Sequence, residues 1–488
     1  MGEKKDELVK IVGVENVIDA SETLEAYSAD YSFASPMRPR LVVKPANASE
    51  VQGIVQWANK TGTPLVPVSS GPPHFRGDTV PCLPGTVIVD LSRMNRIIRI
   101  DRRNRMAIVE SGVTYSQLKP ALEKEGLELP MPLIPRSSKS VITSLLESEP
   151  RLIPKYQWQM PDPLRSTEIV WGNGDILKTG DAGTYGRLEE QWKMHLAQVA
   201  GGGPLQTDYY RFVLAAQGSM GIVTWGAIRC AILPQLHKLF FVPAERLDSL
   251  LGFAYRILRF RFGDELLLLN NSNLASILAE GADEIRTLRD ELPKWVLILG
   301  VAGRDRLPKE KVEFQEKDIS EIAQQFGLHL VTAIPGARDR VVLEALCAPS
   351  KQPYWKLREK GGCHDIFFLT TLDKTPEFVN TMYSLSQTSG YSPSEIGIYV
   401  QPMMQGVACH CEFSLPYAPD NRRELANLQT LLNEGSKVLM NQGAFFSRPY
   451  GIWADMVYNK DEQTTVTLKQ VKEIFDPNNV LNPGKLCF

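Results

Sequence analysis

The tightest constraint on this chain lies between residues 41 and 91, where short apolar runs alternate with one helical pattern and one turn-rich loop. Leu41, Val42 and Val43 form an apolar run ended by Pro45. Asn47 to Glu50 offer capping side chains ahead of Val51, Ile54, Val55 and Ala58, whose spacing gives one apolar helical face. Residues 64–68 read as the next strand, residues 69–78 (Ser-Ser-Gly-Pro-Pro-His-Phe-Arg-Gly-Asp) as a loop, and residues 86–91 as a third strand. Short apolar runs bounded by turn residues are the mark of buried strands, so this stretch is a compact α/β unit.

Beyond it, residues 97–100 and 106–110 suggest a hairpin, and residues 116–125 a helix with Leu118 and Leu122 on one face. Residues 127–165 are proline-rich without clean periodicity. Ile169 to Trp171, the Gly172-Asn173-Gly174-Asp175 turn and Ile176 to Lys178 predict a second hairpin. Residues 201–204 form a glycine-rich loop, and residues 217–227 place a glycine pair before a β-branched strand. From about residue 240 helices (248–260, 310–326) alternate with strands (295–301, 366–372, 396–400), and long helices follow at 422–440 and 464–475.

Lys plus Arg number 54 against 56 Asp plus Glu, a net charge of -2 that argues against a dedicated nucleic-acid binder. No apolar run is long enough for a membrane span, and the charged start, Met-Gly-Glu-Lys-Lys, has no signal core, so a cytoplasmic location is expected. The 7 cysteines are scattered and make no disulfide framework. On a strand, Cys409 and Cys411 share one face and His410 takes the other, a poor geometry for one metal; no metal site is expected.

Several segments act together: the strand and helix at 41–51; Pro67-Val68; Val89-Asp90-Leu91 followed by Met94-Asn95; Glu110-Ser111-Gly112-Val113-Thr114; Gly218-Ser219-Met220-Gly221-Ile222-Val223-Thr224; and the terminal run 475–485. In this order they resemble the vanillyl-alcohol oxidase / p-cresol methylhydroxylase superfamily of FAD enzymes. The resemblance implies an α+β fold. A PCMH-type FAD-binding domain of two α/β subdomains would occupy residues 1–235, and a C-terminal α+β cap domain with an antiparallel sheet residues 236–455. Residues 456–488 would return to the FAD domain.

The resemblance also implies FAD as cofactor, bound non-covalently by default; His74 and His364 lie where some relatives attach it. A diphosphate needs convergent backbone N–H groups, and glycine lets the chain approach closely. The candidate cofactor-binding residues are Ser69, Ser70, Gly71, Arg76, Gly77, Gly112, Gly218, Gly221, Ile222 and Val223. The loop departs from a glycine-rich pattern. Pro72 and Pro73 lack N–H donors, so Ser69, Ser70 and Arg76 are expected to compensate, and residues 140–147 contain no glycine.

On the substrate side, Arg448 resembles the family arginine that meets phenolate or carboxylate oxygens. Phe445, Phe446, Tyr450 and Trp453 around it suit a flat apolar pocket. His410 is the general-base candidate, with Tyr450 as a second proton handler. In the D-2-hydroxyacid branch a first histidine and a GDGN-like turn precede a second histidine. Here His410 matches the second, Met403 stands for the first, the turn is missing, and a later glutamate–histidine pair falls on Pro449 and Tyr450. The divalent-metal site of that branch is therefore expected to be lost, and a D-2-hydroxyacid activity that a chelator abolishes is disfavoured.

The expected function is an FAD-dependent dehydrogenase or oxidase. It would take a hydride from an alcohol or benzylic carbon of a small aromatic or phenolic substrate and pass electrons to an external acceptor, a small molecule or a protein subunit. Two alternatives stay open: a D-2-hydroxyacid (lactate- or glycolate-type) dehydrogenase, and a non-catalytic flavin-fold subunit of a redox complex. Homo- and hetero-oligomers are both open.

Overall fold

The computed structural model describes residues 2–184, 186–203 and 208–488, so Pro204 of the glycine-rich loop lies outside the described residues. Two larger sheets shape the N-terminal lobe, beside a small one in which Leu127–Glu128 pairs with Ala231–Ile232. The first has the order β1 (Val17–Ile18), β2 (Leu41–Val43), β4 (Val87–Asp90), β3 (Leu65–Val68). β2, β4 and β3 run parallel, and β2 and β4 are buried throughout, which is why they read as continuous apolar runs. The connection from β2 to β3 is α1 (Ala48–Thr61). Asn47 caps it by accepting from the Glu50 N–H, the Glu50 carboxylate accepts from the Ala46 N–H, and Gly62 ends it at φ 60°.

The second sheet is antiparallel. Its order is β5 (Ile97–Asp101), β6 (Met106–Glu110), β9 (Gly221–Arg229), β7 (Leu164–Trp171), β8 (Ile176–Lys178). Both expected hairpins form. The aperiodic stretch 127–165 yields only a two-residue strand, the short helix α2 (Val141–Leu146), a 3-10 turn and the start of β7.

The main sheet of the cap lobe is antiparallel and has six strands: β10 (Leu236–Ala244), β12 (Trp295–Gly303), β11 (Leu266–Asn270), β14 (Gly397–Met403), β15 (Ala408–Tyr417), β13 (Gly362–Thr370). Register decides which residues share a face. Across β14, β15 and β13, Tyr399 pairs with Glu412 and Gln401 with His410, while Glu412 pairs with Phe367 and Ser414 with Asp365. Ile398, Val400, Cys409, Cys411, Phe413, Ile366 and Phe368 take the alternate positions and belong to the cap core, where α3 (Arg422–Asn441) covers them with Leu428, Leu431, Leu432 and Leu439. The sheet therefore has one dry face and one face carrying polar groups. No helix of the described residues is long and apolar enough to cross a membrane.

The chain ends back on the first lobe. The Leu65 N–H donates to the Val480 carbonyl at 2.8 Å, and the Asn482 N–H donates to the Leu65 carbonyl at 2.7 Å. Lys472, in α4 (Glu462–Phe475), is buried and reaches the Asp476 carboxylate at 2.8 Å and the carbonyls of Ser219 and Leu481. Asp476 also accepts from the N–H groups of Val480 and Leu481, each at 2.9 Å. A Cβ on Gly172 would lie 2.3 Å from the Asp476 side chain, so the turn and the tail exclude anything larger than glycine there. Replacing Lys472 with Ala leaves the Asp476 carboxylate buried without its counter-charge. The variant is expected to lose about 3–5 kcal/mol of stability, measured by urea unfolding.

Candidate active site

A crevice with about 1550 Å³ of empty space runs along the seam between the lobes. Its first wall is the loop after β3, with Ser69, Ser70, His74, Phe75, Arg76 and Asp78. Its second wall comes from Lys139, Ile142, Thr143, Leu146, Glu147 and Glu149 on and around α2, and from Gly218, Gly221, Ile222 and Val223 at the start of β9. The cap closes it with Tyr354, Lys356, Asp365, Tyr399, Glu412, Arg448 and Tyr450. The polar face of the cap sheet and the loop after β3 thus look at each other across one space.

Charge in this seam is heavily paired. Arg76 donates to Glu147 at 2.6 Å and to Glu149 at 3.3 Å, and Lys139 donates to Glu147 at 2.6 Å. Ser144 donates to Glu149 at 2.5 Å. Burial pushes the Glu149 carboxyl up, yet Lys139, Arg76 and the Ser144 hydroxyl outweigh it and hold the group below the usual carboxylate range. Arg136 donates to the carbonyls of Gly71 and Pro73, which fixes the two-proline turn. Burial, and then Arg136 and Lys139, pull His74 down to about 3, so its imidazole is neutral.

On the cap side, Lys356 bridges Asp365 at 2.7 Å and Glu412 at 2.6 Å, and Ser414 donates to Asp365 at 2.8 Å. His410 Nε2 lies 3.3 Å from Glu412 Oε2, and His410 Nδ1 lies 3.5 Å from Arg448 Nη2. Arg448 is 4% exposed, and its guanidinium carbon stands 4.2 Å from the centre of the Phe367 ring. Its Nη1 has no hydrogen-bond partner among the described residues. Arg76 approaches the same ring at 5.0 Å and the Tyr450 ring at 5.3 Å. Burial, and then the charge of Arg76, lower the Arg448 guanidinium from its ordinary value. Burial, and then Glu147, push the Tyr450 phenol well up, so it stays protonated.

The sequence candidates divide. Ser69, Ser70, Arg76, Gly218, Gly221, Ile222, Val223, Arg448 and Tyr450 line the crevice; Gly71, Gly77, Gly112 and His410 do not. A Cβ on Gly112 would meet the carbonyls of Leu91 and Met94 at 2.5 and 2.8 Å, and one on Gly218 would meet Pro67 at 2.4 Å. Close packing of the chain on itself is by itself reason enough for glycine at both. Phe445 is 61% exposed, and Phe446 and Trp453 pack in the cap core, so of the expected aromatic pocket only Tyr450 faces the crevice. Phe367, Lys139, Glu147, Glu149, Lys356 and Glu412 were not singled out from sequence. Strand alternation from His410 was a signal for Glu412.

Residues 39–180 match the FAD binding domain family, and residues 453–486 match the C-terminal domain of FAD linked oxidases. The chain thus carries the FAD binding domain and the C-terminal domain of FAD-linked oxidoreductases. Glycolate oxidase subunit GlcD of Bacillus subtilis is 27% identical over 50% of this chain and 48% of its own length. D-2-hydroxyglutarate dehydrogenase of Stutzerimonas stutzeri is 23% identical over 99% of this chain and 98% of its own. The 4-ethylphenol oxidase of Gulosibacter chungangensis superposes with a TM-score of 0.83 at 20% identity, covering 99% of this chain and 96% of that one.

The cofactor of this oxidoreductase is FAD, and the crevice suits it. Ser70 and Thr79 and the mutually bonded pair Ser69 and Thr143 supply hydroxyls at the loop end, where Arg76, Lys139 and Arg136 are already engaged. The start of β9 supplies main chain along the second wall.

Asp78 sits among acids in this wall. Burial, and then Glu147 and Asp30, push it up to about 6. The folded value lies above the unfolded one. Stability is therefore fully present below about pH 4 and declines as pH rises through about 6. Asp78→Asn removes that decline: the variant should exceed the parent by about 1–3 kcal/mol at pH 7.5 and match it at pH 4, in urea unfolding at the two pH values.

Proposed function

We propose that this oxidoreductase takes a hydride from an alcohol or benzylic carbon of a small phenolic substrate, with Arg448 holding the ionised oxygen. The observation that carries this reading is the Arg448 guanidinium. It is buried, stacked on Phe367, held at Nη2 by His410, and unmet at Nη1. A buried donor with no partner costs about 1–3 kcal/mol, and more when charged. A phenolate oxygen meets that donor and supplies the counter-charge, while Phe367 and Tyr450 offer apolar surface to a flat ring.

The chemistry follows from holding the oxygen as an anion. Negative charge delocalised from a phenolate oxygen into the ring eases departure of hydride from the para benzylic carbon, and loss of hydride leaves a neutral quinone methide. FAD, when bound, supplies the acceptor for that hydride. Tyr450 keeps its proton and can donate a hydrogen bond to the same oxygen. An external acceptor, a small molecule or a protein subunit, takes the electrons onward.

A D-2-hydroxyacid reading is favoured by the glycolate and 2-hydroxyglutarate relatives, and a guanidinium also suits a carboxylate. In that reading Arg448 holds the carboxylate rather than a phenolate. For the phenolic reading, Arg448→Ala should raise the half-saturating concentration of a phenolic substrate about ten- to a hundred-fold, the scale of one or two lost charge-assisted hydrogen bonds. Steady-state kinetics check this; an unchanged value removes Arg448 from the substrate site.

A further inference from the structure

The histidine that sequence reasoning offers as a general base has neither ring nitrogen free. His410 is 1% exposed and does not line the crevice. Its Nε2 faces the Glu412 carboxylate at 3.3 Å, and its Nδ1 faces Arg448 Nη2 at 3.5 Å. A guanidinium has only donors, so Nδ1 must present its lone pair. An ionised carboxylate only accepts, so Nε2 must carry the proton. The two neighbours, from different segments of the chain, ask for the same tautomer.

Glu412 is able to play that part. Burial pushes its carboxyl up, but the Lys356 charge and the His410 hydrogen bond overcome this and keep it ionised. Lys356 is in turn fixed by Asp365, and Asp365 by Ser414. Strand pairing sets the row: His410, Glu412 and Ser414 alternate along β15, opposite Asp365 and Phe367 on β13 and Tyr399 and Gln401 on β14. The His410 ring is further walled by Tyr399 at 5.6 Å and Phe367 at 5.9 Å between centroids. Burial outweighs the opposing hydrogen bond and charge of Glu412, and Arg448 and Lys356 add to it, so the imidazole is lowered and neutral.

We infer that His410 is a positioning residue for Arg448, and that Glu412 sets its tautomer, so that one end of the guanidinium is anchored and the other is presented to the substrate's anionic oxygen. Arg448 has competitors for its charge. Glu147 and Glu149 stand on the opposite wall near enough to act on it electrostatically. Anchoring Nη2 to a neutral acceptor on the cap holds the arginine away from those carboxylates without cancelling its charge. A carboxylate in place of His410 would hold Arg448 more tightly and neutralise it. The part about substrate rests on the phenolic reading above; the part about the tautomer does not.

Ring-nitrogen NMR of protein labelled with 15N-histidine tests the inference, with His410→Gln identifying the His410 signals among the 6 histidines. The expected result is a neutral ring with Nε2 protonated and Nδ1 bare from pH 6 to 9. Glu412→Gln keeps an acceptor for Nε2–H and should retain that tautomer. Glu412→Ala should lose the single-tautomer signature and weaken the binding of phenol, followed through the flavin absorbance, by about tenfold or more. A His410 that is protonated at Nδ1, or doubly protonated, in the parent protein overturns the inference whether or not Glu412→Ala folds. So does a Glu412→Ala protein that loses the tautomer yet binds phenol as the parent does. If phenol fails to bind the parent at all while the tautomer is as expected, the phenolic reading falls and the anchoring of Arg448 stands.

Discussion

Charge taken out of water must be paired, and that constraint organises the seam on which this molecule's function depends. Arg76 and Lys139 share Glu147 and Glu149; Lys356 shares Asp365 and Glu412; at the edge of the lobes Arg304 holds Asp264 and Glu128, each at 2.6 Å. Each cluster ties segments distant in sequence. The Arg304 cluster joins the first lobe to the cap directly, and the tail is locked down by Lys472 and Asp476 in the same way. Against this background of paired charge, Arg136 with its carbonyl partners and Arg151 with its hydroxyl partners are exceptions. Arg448 is another, a buried cation whose near partners are a neutral imidazole and an aromatic face. Among the described residues no carboxylate meets the Arg448 guanidinium, and on that the proposed binding of an anionic oxygen rests.

The cap sheet shows how this exception is built. Alternation along β15 sends Cys409, Cys411 and Phe413 into an apolar core and sends His410, Glu412 and Ser414 to the other face, with matching alternation on β13 and β14. A rigid sheet backed by α3 is a better mount for an active site than a loop, because its rotamers are held by packing on the dry face. The opposite wall is made differently. There a loop with two prolines is held by Arg136 on its carbonyls and by Tyr31 and Tyr354 against Phe75. Rigidity lost with the missing N–H donors is recovered through side chains.

Local features carried well from sequence. The α/β unit at 41–91, both hairpins and the long C-terminal helices were legible because each depends on short-range pattern: apolar periodicity, capping at Asn47, the Gly174 turn. Ser69, Ser70, Arg76, Arg448 and Tyr450 were legible as crevice residues because the order of motifs placed them. The charge network was not, since Arg76, Lys139, Glu147 and Glu149 meet only when the loop after β3 docks on the turn after α2. Gly112 and Gly218 are ambiguous for a related reason: a glycine required by a carbonyl or a proline ring reads the same as one required by a phosphate. Phe445 and Tyr450 lie in one short run but point oppositely, which a run without regular periodicity does not reveal.

The central claim is that the seam binds FAD and oxidises a phenolic substrate through a single presented guanidinium. The most direct measurement is anaerobic mixing of the flavin-loaded protein with para-alkylphenols and 4-hydroxybenzyl alcohols on one side and glycolate and D-2-hydroxyacids on the other. Absorbance in the oxidised-flavin bands is followed with and without a chelator. The account predicts bleaching by the phenols and aryl alcohols, unchanged by the chelator. Bleaching only by the hydroxyacids and abolished by the chelator, or a colourless protein that cannot be reconstituted with FAD, would contradict it.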